Sequence, residues 1–175
     1  MVIFNALTTD QNSPFRVIQP DVPRFELVKT IPQGFASQIQ DAVRKFMEDS
    51  NMPQGVNKDG FYNQTLKTMA QATVLGQGGD LWLGIRGNEL YTYILAYIGQ
   101  SVDDRLSYVV NQAWVRKDQR GKPWVRDAWQ KVRQRAKDTF CAHLLVLSSK
   151  ENDAVYCRFL GKGFHRHGSI LKETL

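Results

Sequence analysis

The chain has 175 residues, of which 42% are hydrophobic and 23% charged, ordinary values for a soluble globular protein that exclude a disordered chain and a helical membrane protein. Its formal net charge of +6 favours acidic partners, whether nucleic acid, a phosphorylated cofactor or an acidic protein surface. The basic residues are dispersed among acidic ones without a block of like charge, so a solvated basic surface also accounts for them.

No apolar run reaches the roughly eighteen residues of a membrane helix. The start, MVIFNALTTD, offers neither a basic leader nor a sufficient apolar stretch for a signal peptide. The expectation is one domain in the cytoplasm, where the thiols of Cys141 and Cys157 stay free.

Residues 1 to 24, with Pro14, Pro20, Pro23 and the polar turn Thr8 to Ser13, read as an extended arm that can lie along an assembly partner. The domain proper then covers residues 25 to 175. Phe25 to Thr30 reads as a strand. Phe35, Ile39, Val43, Phe46 and Met47 recur at helical spacing over Phe35 to Asp49, and a second helix is expected over Phe61 to Leu75.

The period then changes to two. Asp80 to Arg86, Glu89 to Gly99 and Leu106 to Val115 are rich in Leu, Ile, Val, Tyr and Trp. They are separated by turns at Gly87-Asn88 and at Val102 to Arg105, which predicts an antiparallel meander. Over Pro123 to Asp138 the period is helical again, with Val125, Ala128, Trp129, Val132 and Ala136 on one stripe. Ala142 to Leu147 reads as a buried strand, Asp153 to Leu160 as a short helix, and Gly168 to Leu171 as a single closing strand.

This order, together with the segment from Gln119 to Leu175 and above all SSKENDAVYCRFLGKGF, resembles the GNAT N-acetyltransferase superfamily. Asn152, Ala154, Gly163 and Phe164 stand at the family's spacing. The resemblance implies an α+β acyl-CoA N-acyltransferase fold, a mixed central sheet with helices on both faces. It also implies a cleft between the fourth and fifth strands for the pantetheine arm of acetyl-CoA, lined here by Trp114 and Val115 with Leu145 to Leu147 opposite. Arg120, Gly121, Lys122, Pro123, Trp124 and Val125 fall on the family's pyrophosphate loop, Arg126 follows it, and Asn152 and Phe159 complete the expected cofactor contacts.

A helix N-terminus holds pyrophosphate because unpaired N–H groups and the helix dipole converge on it. The chain departs from the family pattern at three places. Pro123 and Val125 occupy positions the family keeps small, and Pro123 has no N–H to donate, a loss of about 1.5–3 kcal/mol for a bond to a charged group. Phe159 stands where many members carry the tyrosine that protonates the leaving thiolate. Tyr156, three residues earlier on the expected helix, is the candidate replacement.

The fourth strand carries no acid to serve as base, and Asn111 and Gln112 can at most orient water, while Asp103 and Asp104 read as turn residues. His143, His165 and His167 lack further ligands at metal spacing, and no metal is expected.

Two functions follow from this resemblance. One is acetyl-CoA-dependent N-acetylation by direct attack of an unidentified amine. The other is a catalytically inactive GNAT-like structural or interaction protein, similar to small components of tailed-phage particles, which would place it in a virion. Nucleic-acid binding through the basic residues of the helix from Arg126 to Lys137 is a third and lesser expectation, because those charges surround a stripe that the sheet needs. Repairing the departures with Pro123→Gly, Val125→Gly and Phe159→Tyr is expected to be tolerated by the fold.

Overall fold

The computed structural model describes residues 22–50, 52, 55–75, 79–100 and 104–147, and the backbone of 165–167 and 170–174. Strand β1, Arg24–Val28, is followed by helix α1, Ala36–Asp49, and helix α2, Lys58–Ala70. The meander is β2, Asp80–Arg86, β3, Glu89–Gln100, and β4, Leu106–Val115. Helix α3, Pro123–Asp138, then crosses over to β5, His143–Leu147, which runs parallel to β4. Two further strands, β6, His165–His167, and β7, Ile170–Thr174, complete a sheet of order β1-β2-β3-β4-β5-β7-β6.

Most elements fall within one residue of where periodicity placed them, and three differ by more. The first strand ends at Val28 rather than Thr30. Helix α2 begins three residues before Phe61 because the Asn57 side chain caps it, accepting a hydrogen bond from the Gly60 N–H at 2.9 Å. Its last turn, Gln71–Leu75, is π-helical, and there the Thr73 hydroxyl donates to the Met69 carbonyl at 2.9 Å, inside the helical ladder.

The third difference is the closing strand, expected over Gly168 to Leu171. It is replaced by two strands in antiparallel pairing, with β7 pairing β5 from His143↔Thr174 to Leu147↔Ile170. The polar residues Lys172 and Glu173 hid this strand from a side-chain pattern, whereas pairing is demanded by the backbone groups on the free edge of β5. Of the arm expected over residues 1 to 24, residues 1 to 21 lie outside the described residues and Arg24 already belongs to β1; the helix expected over Asp153 to Leu160 lies outside them as well.

Two cores cover the two faces of the sheet. On one face α3 buries Trp124, Val125, Ala128, Trp129, Val132 and Ala136 against Phe25, Trp82, Tyr91, Ile94, Tyr108, Val110, Leu144 and Val146. On the other, Phe35 just before α1, Ile39, Ala42 and Val43 of α1 and Met69 of α2 pack on Leu81, Leu83, Tyr93, Leu95 and Trp114. At about 1.5–3 kcal/mol for each large apolar side chain removed from water, these contacts hold the helices to the sheet.

A buried polar cluster ties the first face together. Asp80 accepts the Tyr108 hydroxyl at 2.8 Å and the Arg135 Nε at 2.8 Å, while the Trp82 indole N–H donates to the Tyr108 oxygen at 3.0 Å. Burial, followed by the neighbouring Asp80 charge, drives the Tyr108 pKa upward, so the phenol stays a neutral donor.

Helix α3 ends in a Schellman turn. The N–H of Phe140 donates to the Lys137 carbonyl at 2.9 Å, and that of Cys141 to the Ala136 carbonyl at 3.0 Å. Phe140 therefore occupies the left-handed position, φ 58°, normally taken by glycine, and its ring is 88% exposed. Phe140→Gly relieves the backbone while removing no packing, and is expected to stabilise the fold by about 1 kcal/mol, or roughly 2–4 °C in Tm. Thermal unfolding of the variant checks this, and a lowered Tm contradicts it.

Candidate functional site

Strand β4 pairs with β5 only from Ser107↔His143 to Val110↔Val146. At the next residue β4 carries a bulge: Leu95 of β3 faces Gln112 and Ala96 faces Val110, so Asn111 is the extra residue. The insertion exchanges the two faces of the strand. Before it, Tyr108 and Val110 point toward α3; after it, Gln112 and Trp114 point toward α1 and α2, while Ala113 and Val115 pack on the α3 side. Among the described residues, Asn111 to Val115 therefore continue beyond the last pair with β5, and no described strand pairs with that edge of β4, which leaves a notch beside Leu147.

This register corrects the expected cleft lining. Leu145 and Val146 face Val109 and Val110, and only Leu147 extends past the pairing. Trp114 is buried in the core under α1, stacked on Tyr93 with centroids 6.2 Å apart. What β4 offers the notch is its backbone edge. Gln112 is likewise committed, accepting the Tyr93 hydroxyl at 3.1 Å and donating to the Thr65 hydroxyl at 2.8 Å. It therefore orients no water, which leaves half-buried Asn111 as the polar side chain at the bulge.

The loop from β4 to α3 lies at the end of this notch, since α3 starts where β4 finishes. It contains a 3-10 turn, Lys117–Gln119, then Arg120, Gly121 and the N-cap Lys122. Gly121 has φ +81°, a left-handed conformation open to glycine, and it turns the chain into the helix. Pro123 is the first helical residue and has no N–H, and the Val125 N–H donates to the Lys122 carbonyl at 3.1 Å. In the first three helical positions only Trp124 keeps a backbone donor for a ligand. The side chains of Trp124 and Val125 face the core, whereas Arg120, Lys122 and Arg126 are exposed.

Arg116 anchors the start of the loop. Its guanidinium bonds Asp118 at 2.7 and 2.9 Å and Glu89 at 3.1 Å, and lies 3.9 Å over the Tyr91 ring. The Arg116 and Gln119 bonds hold the Asp118 carboxyl at about 2, below its ordinary 3.8, and those from Tyr91 and Arg116 lower that of Glu89. Depressed carboxyl pKa values stabilise the fold above their ordinary range, and the contribution disappears as pH falls through the folded value. The Asp118 contacts thus persist at pH 4 and are lost toward pH 2, while the Glu89 contact is lost as pH falls below the ordinary carboxylate range.

No protein-family model matches the chain, and no curated protein matches it. Solved structures do. PaiA N-acetyltransferase from Thermoplasma acidophilum, in complex with coenzyme A, superimposes with a TM-score of 0.64 at 9% identity, over 87% of this chain and 99% of that one. A predicted acetyltransferase from Clostridium acetobutylicum with acetyl-CoA gives 0.61 at 10% identity, over 83% and 91%. An integron cassette protein from the mobile metagenome of Cole Harbour Salt Marsh gives 0.56 at 24% identity, over 79% and 83%. The chain has the GNAT acetyltransferase fold.

Within the GNAT fold, the described residues bring together Val115, Arg120, Gly121, Lys122, Trp124, Val125 and Arg126 around the end of β4 and the start of α3. Asn152, Tyr156 and Phe159 lie outside the described residues, as do Ala154, Cys157, Gly163 and Phe164. Cys141 is a buried free thiol and His143 is buried in β5. Among the described residues no group of three His, Cys, Asp or Glu is placed to hold a metal ion. Two of the basic residues on α3 are used internally, Lys131 on the Phe25 carbonyl at 2.9 Å and Arg135 on Asp80.

Proposed function

We propose that the chain binds an acyl-CoA, with acetyl-CoA as the simplest case, and transfers its acyl group to an amine. One observation carries this reading: the bulge at Asn111 coincides with the end of β4–β5 pairing, beside a cationic loop that opens a helix. The open edge of β4 presents backbone N–H and C=O groups to an extended amide-bearing pantetheine arm. The Trp124 N–H, Lys122 and Arg126 meet the pyrophosphate. That two structures of this fold hold coenzyme A or acetyl-CoA supports the same ligand class.

In the reaction a neutral amine attacks the thioester carbonyl, the C–S bond breaks, and the proton lost by the amine balances the departing thiolate. The described part of the site supplies positioning rather than acid–base groups, since β4 carries no carboxylate between Leu106 and Val115.

Acetyl-CoA titrated into the full chain in a calorimeter is expected to bind about ten- to a hundredfold more weakly than a loop with a donor at position 123. Lys122→Ala or Arg126→Ala is expected to weaken binding a further several-fold, an effect that salt diminishes. No heat at millimolar acetyl-CoA contradicts the reading and favours the other one, a GNAT-fold interaction module without chemistry. The missing Pro123 donor and an Arg120 already engaged by Asp49 are what support that second reading.

A further inference from the structure

Helix α1 ends in Asp49, and its last turn contains no basic residue. A carboxylate there meets the negative end of the helix dipole, which disfavours it unless cations intervene. The cations come from the loop after β4: Arg120 donates through Nη2 to Oδ2, and the Lys117 ammonium lies 3.2 Å from Oδ1. The Asp49 side chain is 22% exposed against 47% for Arg120. Burial pushes the Asp49 carboxyl up, the bonds from Arg120 and Lys117 outweigh it, and the net shift is downward, so it remains charged at neutral pH.

A phosphate held by Lys122 and Arg126 at this loop also draws on the neighbouring cations Arg120 and Lys117. Arg120 has its Nε on the Val115 carbonyl at 3.1 Å and its Nη2 on Asp49. Two cations and one anion leave the group a net single positive charge, and removing the anion leaves two. The residue is also well placed to compete, because it joins α1 to the loop at the mouth of the β4–β5 notch.

We propose that Asp49 is an internal competitor for phosphate: its carboxylate occupies Lys117 and Arg120 and thereby sets the anion affinity of the β4–α3 loop. This rests on the reading of that loop as the pyrophosphate site. A bound phosphate takes the two cations, and the end of α1 is released from the loop.

The test titrates inorganic pyrophosphate and, separately, CoA into the full-length chain at low ionic strength, comparing the unmodified protein with Asp49→Asn and Glu48→Gln. Glu48 is the exposed neighbour, and its variant makes the same change in net charge. Asp49→Asn is expected to bind pyrophosphate about tenfold more tightly than the parent, with Glu48→Gln within about twofold of it. Equal tightening in both variants, no tightening in Asp49→Asn, or no pyrophosphate binding by it overturns the proposal.

A measurement on the unmodified chain covers the case in which Asp49→Asn does not fold. Followed by carboxyl NMR, the Asp49 pKa is expected to rise toward or above its ordinary 3.8 when pyrophosphate binds. An unmoved pKa with pyrophosphate bound overturns the proposal. The CoA arm separates the two readings: tighter pyrophosphate binding without any CoA binding keeps the competitor and removes the CoA site. Equal CoA affinity in parent and Asp49→Asn does the reverse.

Discussion

Asp80→Ala is expected to destabilise the protein by about 3 kcal/mol, the lower end for breaking a buried ion pair. The carboxylate joins three elements at once, accepting from Tyr108 on β4 and from Arg135 on α3 while itself lying on β2. Its removal leaves the Tyr108 hydroxyl without an acceptor at a buried position and the Arg135 charge without a counter-ion. Arg135 is one-third exposed, so water offsets part of its loss, and that keeps the estimate at the low end. Chemical denaturation should report the change, with a fall of about 6–12 °C in Tm alongside it. A loss below about 1 kcal/mol would mean that water already serves these groups.

Val125→Gly is expected to cost a similar amount, about 3 kcal/mol: about 2 from the lost isopropyl group and its cavity, and about 1 from glycine in a helix. The side chain is 4% exposed and belongs to the core formed by α3 and the sheet. This corrects the expectation that both loop positions accept glycine. The sequence places Val125 both on the α3 stripe and among residues that crowd a phosphate; as the third residue of α3 it turns inward, in keeping with the stripe. Pro123→Gly differs in kind, since it loses at most about 1 kcal/mol through unfolded-state entropy and restores a donor at the helix start. Denaturation curves of the two single variants should therefore separate clearly, and equal stability would place Val125 outside the core.

Much of the fold was legible because pattern and punctuation agreed. Gly87-Asn88 marks the hairpin between β2 and β3, and the stripe from Val125 to Ala136 delimits α3 as Pro123–Asp138. The bulge was not legible as such, since an inserted residue leaves no composition of its own. Its one trace is the polar pair Asn111-Gln112 in the middle of an apolar strand, where alternation breaks. Without the bulge Trp114 would point at α3; with it the side chain is buried under α1, away from the cleft that the resemblance implied it lines.

The Asp49 contacts were equally hidden, because Asp49 and Arg120 are 71 residues apart. Only the misfit of an acid at a helix C-terminus hints that something basic packs against it. The turn into α3 falls at Arg120 to Lys122, where the resemblance put the loop, but which of its groups face outward depends on the helix phase. That phase turns Trp124 and Val125 inward and leaves Arg120, Lys122 and Arg126 outside.

Backbone amide NMR of the labelled chain during a CoA titration shows most directly whether the notch beside the Asn111 bulge is a CoA site. Concentration-dependent shifts are expected at Asn111 to Val115, at Leu147, and at Gly121, Lys122 and Trp124, with the first turn of α1 and strand β1 unaffected. Shifts confined to those unaffected regions, or none at millimolar CoA, would contradict it.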